Sequence, residues 1–321
     1  MAIFAGMILP GLMFAVAEKL LTDLRAPSAQ RPPVTEQTQT ETKSTVTADD
    51  LIAVIQADGT ISNMELETYL VNVVLGEMPL SFDMEALKAQ AVVARTYTLR
   101  RKTTANKHEA GAVCVNSACC QAYCTPEDFS AGGGEDVALS KARAAVSATA
   151  GQVLTYNSEF IEATYFSCSG GRTEDALAVW GEDIPYLQSV DSPGEENATH
   201  YTDTVSLAGT EFSRLLGLSL KGNPATWLGQ VSYTDGGGVD TIMIGRTVFK
   251  GTELRQKLGL SSTAFSITTA GDTVKIVTKG FGHRVGMSQY GAQAMAVAGS
   301  SYRDILAHYY PGTNLTDYRW N

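Results

Sequence analysis

Cysteine, histidine and basic residues are all scarce in this chain of 321 residues. Five Cys, four His and 24 Lys plus Arg stand against 34 Asp plus Glu, for a formal charge of -10. That deficit argues against nucleic acid and other polyanions, whose binding draws its affinity mainly from Lys and Arg. No internal repeat is present. Neither a Gly-x-Ser-x-Gly elbow nor a His-Glu-x-x-His or deaminase zinc pattern occurs, so neither motif supplies a catalytic site. What is plentiful is apolar: 44% of residues are hydrophobic and 18% charged, which predicts a packed core over most of the length. At roughly 150 residues per domain, the length allows about two domains or one large one.

Charge is missing altogether from Met1 to Ala17, and Glu18-Lys19 ends that run. A run of this kind lies at the lower limit for a membrane helix, which needs about 20 residues. Pro10 and Gly11 in its middle are tolerated better in a membrane than in water. Ala15-Val16-Ala17 also fits a signal-peptidase site, but a positive n-region is lacking. Residues 1–25 are therefore expected to be a membrane anchor, with a cleaved signal as the alternative. Residues 26–49 are rich in Thr, Gln, Glu, Ser and Pro and read as a disordered linker, so folding starts near Asp50.

From there, Leu51 to Gln56 reads as a strand. Ser62 and Glu65 stand in capping-box spacing ahead of Leu66, Tyr69, Leu70, Val73 and Val74 at helical spacing, with Gly76 as a stop. An Ala-rich helix follows from about Asp83 to Lys102, and another from Glu135 to Ala150. Gln152–Tyr156 and Glu159–Phe166 flank Asn157-Ser158 as a hairpin. Short strands with one or two helices fill 201–267, where Gly236-Gly237-Gly238 marks a loop. Thr273–Thr278 reads as a strand leading into a Gly-rich loop, and helices at about Ser288–Ala298 and Tyr302–His308 close the chain. Strands and helices mix without regular alternation, which predicts an α+β fold. The expected arrangement is two lobes, about 50–150 and 151–321, around a substrate cleft.

Five features can carry chemistry. Glu77, between two helices and before Pro79, is placed to enter a cleft, where burial would keep a proton on it for general-acid work. Arg95 on the second helix is placed to pair with Glu77 or hold a sugar substituent. His108-x5-Cys114-x4-Cys119-Cys120-x3-Cys124 gathers four of the five Cys with one His. Three Cys and one His fit a closed, structural zinc site, while an exported chain makes disulfides the rival. Tyr165-Phe166-Ser167-Cys168-Ser169-Gly170-Gly171 places hydroxyls and a tight turn after a strand, with Cys168 read as a buried small residue. His283 sits among glycines that let backbone approach a ligand.

Together these blocks resemble the stage II sporulation protein D family. Gly76-Glu77-Met78-Pro79, Glu85 to Ala91 and Ala94-Arg95-Thr96-Tyr97 are similar to its signature block. Tyr165 to Thr173, Gly282 to Ala292 and His308-Tyr309-Tyr310-Pro311-Gly312-Thr313 match three more, in order, over about residues 50 to 315. The resemblance implies a lytic transglycosylase that cuts peptidoglycan glycan strands already stripped of stem peptides by a partner amidase, during sporulation engulfment. It makes Glu77 the catalytic residue and Arg95, Tyr165, Ser167, Ser169, His283, Gln289 and Tyr290 substrate-binding. It also implies a structural zinc on His108, Cys114, Cys119 and Cys120, where Cys119 stands in place of a family His and Cys124 remains the rival ligand. The expected location is the mother-cell membrane, single-pass, with the main domain extracytoplasmic and facing the intermembrane space among other engulfment proteins. That orientation follows from the resemblance, because Lys19 and Arg25 by charge alone favour the opposite topology. The alternative is a non-catalytic, peptidoglycan-binding amidase enhancer of the same superfamily.

Overall fold

The chain opens, where the computed structural model describes it, with a strand pair that displaces an expected helix start. The structure describes residues 51–105 and 107–318, so the expected anchor and linker lie outside the described residues. Strand β1 (Leu51–Ile55) pairs antiparallel with β2 (Ile61–Glu65), setting Ile52 opposite Met64 and Val54 opposite Ser62. The capping-box residues Ser62 and Glu65 are thus drawn into a ladder, because β1 needs a partner for its backbone groups. Helix α1 (Leu66–Glu77) begins later, without a side-chain cap, and ends on Glu77 itself rather than at Gly76. Helix α2 (Met84–Thr104) is capped by Asp83, whose carboxylate accepts from the Glu85 N–H at 2.9 Å.

Helix α2 is the hub. Ala86, Ala89, Ala91 and Ala94 are fully buried on it, and these small side chains let neighbours close in on every side. Strand β3 (Val113–Cys114) runs parallel to β1, and α3 (Pro126–Ala131) and α4 (Asp136–Ala148) follow. Strand β4 (Gln152–Tyr156) turns at Asn157-Ser158 into β5 (Glu159–Phe160). The second arm of the expected hairpin stops there. Strand β6 (Tyr165–Phe166) instead pairs in parallel with a segment over a hundred residues away, and α5 (Ala176–Trp180) comes next.

The stretch without strong motifs builds its own core. It contains β7 (Thr202–Ala208), α6 (Gly209–Leu216), β8 (Leu228–Tyr233), β9 (Val239–Ile244), β10 (Thr247–Lys250), α7 (Gly251–Leu258), β11 (Phe265–Ala270) and β12 (Thr273–Lys279). Thr202 pairs with Lys279, so this segment enters and leaves side by side. Strand β13 (Met287–Ser288) is the partner of β6, and α8 (Gln289–Val297), α9 (Tyr302–Tyr309) and β14 (Asn314–Asp317) complete the chain, β14 lying against β4.

The fold is therefore mixed α+β, in several small sheets and helices. Its two hydrophobic clusters divide elsewhere than at residue 150. One joins Ile52 through Leu187 with Val285 through Tyr310, and the other is confined to residues 205–276. Arg284 links the two. It is 2% exposed, pairs with buried Glu174 at 3.0 Å and donates to the carbonyls of Ser169, Arg172 and Gly236, each at 2.7 Å.

Candidate active site

Glu77, the last residue of α1, opens into a cleft of about 660 Å³. Its position depends on the glycine before it. A Cβ on Gly76 would lie 2.7 Å from the Tyr123 nitrogen and 2.8 Å from the Ala122 carbonyl carbon, so only glycine lets the loop after the cysteines press against the helix end. That approach delivers the Ala122 N–H to Glu77 Oε1 at 2.6 Å. The Tyr165 hydroxyl donates to the same oxygen at 2.8 Å, and the Gln289 amide reaches Oε2 at 3.4 Å. Gln121 completes the frame. Its Nε2 donates to Tyr69 Oη and Thr98 Oγ1, which aims its Oε1 at the Tyr165 hydroxyl, 3.2 Å away.

No cation faces Glu77 within salt-bridge distance among the described residues. Burial raises its pKa above the ordinary carboxylate value, while the bonds from Ala122, Tyr165 and Gln289 pull the other way. Burial and the Glu77 charge hold the Tyr165 hydroxyl firmly protonated. His283, in the same cleft, is lowered to about 4, chiefly by burial and then by the Arg255 charge, so its imidazole is neutral near pH 7. Its Nδ1 accepts from the Val285 N–H at 3.1 Å, which leaves the ring proton on Nε2. A second lining carboxylate, Glu162, is held by Arg100 at 2.9 Å and by Arg101.

Of the residues expected at the site, Glu77, Tyr165, Ser167, His283 and Gln289 line one cleft. Three do not. Arg95 is fully buried on α2 and forms a two-pronged pair with Glu67, 2.8 and 2.6 Å, while donating to the carbonyls of Val146 and Gln152. An arginine surrounded by α1, α4 and β4 is anchored architecture, not a cleft group. Ser169 is likewise buried, its N–H and hydroxyl both spent on Glu195. Tyr290 packs edge-on against Phe82 and meets Thr199 through its hydroxyl, outside the lining. Gln121, Ala122, Lys107 and Glu162 escaped sequence reasoning. Only the first two had a signal, in that they directly follow the cysteine run.

His108, Cys114, Cys119 and Cys120 place their donor atoms within 4.8 Å of one another, and His108 Nε2 lies 3.4 Å from each of Cys119 Sγ and Cys120 Sγ. Ligand atoms around a tetrahedral zinc with about 2.3 Å sulfur and 2.0 Å nitrogen bonds stand roughly 3.5–3.8 Å apart, so this donor set fits such an ion. Cys124 lies outside the group, its thiol meeting the Thr125 carbonyl at 3.6 Å, and all five cysteines are free thiols. Cys168 is fully buried, as expected of a small core residue. Cys119 and Cys120 also line the cleft, so the cluster sits in the loop that holds Glu77.

Fold and site define an α+β protein with a protonatable carboxyl set in a cleft beside a thiol–imidazole cluster. The sequence profile described as stage II sporulation protein matches residues 56–156. Stage II sporulation protein D of Bacillus subtilis (strain 168) is 40% identical over 266 residues, 81% of this chain and 77% of that relative. Its namesake in Bacillus amyloliquefaciens is 41% identical over 262 residues, 80% of this chain and 76% of that relative. An amidase enhancer of Bacillus subtilis (strain 168) is 31% identical over 310 residues, 78% of this chain but 40% of the larger relative. The chain belongs to the stage II sporulation protein D family.

Proposed function

We propose that the protein is a lytic transglycosylase that cuts peptidoglycan glycan strands lacking stem peptides during sporulation engulfment. The observation that carries this reading is Glu77, a cleft carboxyl without a cation partner among the described residues and with a pKa raised by burial. Oε1 already takes the two short bonds from Ala122 and Tyr165, so the proton belongs on Oε2. It passes to the glycosidic oxygen as the bond from that oxygen to the muramyl C1 breaks. Ionised Glu77 then takes the proton of the muramyl C6 hydroxyl as its oxygen bonds to C1. A 1,6-anhydro ring forms, no water is consumed, and Glu77 ends protonated. Hydrolytic glycosidases generally use two carboxylates; of the two others that line this cleft, Glu162 is occupied by two arginines and Glu182 is exposed, and the one-carboxylate route needs neither.

The Tyr165 hydroxyl follows the charge. It donates to Glu77 while that group is ionised and has Gln121 Oε1 as an alternative acceptor when it is not. His108, Cys114, Cys119 and Cys120 are the residues that would hold zinc, whose contribution when bound is to pin the loop carrying Gln121 and Ala122. Residues 1–25 anchor the chain in the mother-cell membrane, and residues 26–49 tether the cleft in the intermembrane space, where a partner amidase supplies stripped strands running between the parts at 50–150 and 151–321.

The test incubates the full-length chain with peptide-free strands and looks for 1,6-anhydro-muramic ends by mass spectrometry. Wild type yields them and Glu77→Gln does not; equal yields would remove Glu77 from the chemistry. The likeness to an amidase enhancer supports a second reading, a wall-binding protein that cuts nothing. Faster amidase turnover in its presence, with no anhydro ends formed, is the outcome that selects it.

A further inference from the structure

The cations lining the cleft stand in two different states. Arg101 is committed to Glu162 and lies over the Tyr97 ring, 4.6 Å from its centroid. Lys107 is exposed, and its ammonium rests on two neutral acceptors, the Tyr97 hydroxyl at 3.2 Å and the Cys119 carbonyl. Among the described residues it has no carboxylate partner. In a chain of net charge -10, where acidic residues are plentiful, a cleft ammonium with no carboxylate partner among the described residues is out of keeping with its surroundings. Neutral acceptors hold the group in place and leave its charge free for a ligand, which reduces the ordering needed on binding.

We propose that Lys107 is the recognition point for a carboxylate on the bound ligand, and that this carboxylate is the free lactyl group of muramic acid. The second half rests on the glycan reading above. In an intact strand the lactyl group is joined to the stem peptide through a neutral amide. Hydrolysis adds one water across that C–N bond: the lactyl carbon keeps the new oxygen and becomes a carboxylate, and the peptide leaves as an amine. A stripped strand therefore carries one negative charge on the lactyl group of each muramyl residue, where an intact strand has a neutral amide, and Lys107 distinguishes the two by that local charge. The reaction class that must supply this ligand is amide hydrolysis at the lactyl carbonyl. Glu162 does not interfere, because Arg100 and Arg101 neutralise it. Glu182 is exposed in the stretch after α5, and its charge disfavours seating the lactyl group beside it rather than beside Lys107.

Two substrates isolate the charge: peptide-free strands with free lactyl carboxylates, and the same strands with those carboxylates converted to methylamides. Binding to each is measured with full-length Glu77→Gln, so that nothing is consumed, at low and high salt. The free acid should bind roughly 3- to 10-fold more tightly, with the preference shrinking as salt rises. Adding Lys107→Met should bring the acid down to the methylamide, and Lys107→Arg should restore the preference. Lys107 is exposed, so an unchanged melting temperature separates this effect from misfolding. Equal binding of acid and methylamide by the Lys107 protein, or a preference that survives Lys107→Met, overturns the proposal while leaving the glycan reading intact. Binding of neither strand overturns both.

Discussion

Two glutamates, Glu77 and Glu174, show how the same side chain is put to opposite uses. Glu174 is 1% exposed and faces Arg284, with the Thr234 hydroxyl donating to Oε1 at 3.0 Å, where the 205–276 cluster joins the rest. Glu77 is less buried and meets only neutral donors. A buried carboxylate paired with a guanidinium holds parts together. One held by amide and hydroxyl protons, without a cation, can take up and release a proton. The same contrast separates Arg95, closed on Glu67, from Lys107, whose charge has no carboxylate to meet among the described residues. Chemistry resides where the fold withholds the counter-charge.

The largest expected effect breaks that contrast at Glu77. Glu77→Gln should lower the rate of anhydro-end formation by about 10²- to 10⁴-fold, as loss of a general acid does. Its stability should move the other way. The folded pKa of Glu77 is raised, so the native state holds the proton more tightly than the unfolded chain does. The stability this gives is present at low pH and lost as pH rises through the raised value. Glu77→Gln should therefore raise the melting temperature at pH 8 relative to wild type, with no gain below about pH 4, where both states are protonated. A gain equal at both pH values would contradict the ionisation argument.

At Glu174 the prediction is reversed. Arg284→Met leaves a buried carboxylate alone and should destabilise the fold by about 3–5 kcal/mol in urea unfolding, with the double variant Arg284→Met/Glu174→Gln recovering part of it. Gly76→Ala should come next. Its added Cβ strikes backbone rather than a movable side chain, so the loop at Ala122 must retreat from Glu77. A loss of roughly 1–3 kcal/mol, together with a fall in rate, is expected from overpacking at this point. Unchanged activity would mean that the Ala122 N–H contributes nothing to Glu77.

Local order was legible where helical periodicity was strong. Helices expected from about Asp83 and Tyr302 are present as α2 and α9, started by side-chain caps at Asp83 and Ser301 that the sequence reading did not single out. At Ser62 the local signal lost to pairing with β1, and at Tyr165 to a partner, Met287, that no local pattern reveals. Glu77 and the cysteine cluster stood out because their residue types are rare or oddly placed. Arg95 was misplaced because its match to a motif carries no information on which way a helix face turns. Glu162 and Lys107 were invisible, since a charge acquires meaning only from the counter-charge that folding brings or withholds.

The smallest effect tests how finely Glu77 is tuned. The Tyr165 hydroxyl has one proton and two acceptors, Glu77 Oε1 at 2.8 Å and Gln121 Oε1 at 3.2 Å. Donation to Glu77 stabilises the ionised form, so Tyr165→Phe should raise the Glu77 pKa further and carry the alkaline limb of the kcat/KM profile to higher pH. Gln121→Met removes the competing acceptor and commits the hydroxyl to Glu77, so the same limb should move to lower pH. Each variant should lower the optimal rate by about 3- to 10-fold, the scale of one hydrogen bond. A change of packing alone has no reason to shift the two profiles in opposite directions. Shifts of the same sign, or none, would show that Glu77 is set by its burial and that Tyr165 does not follow its charge.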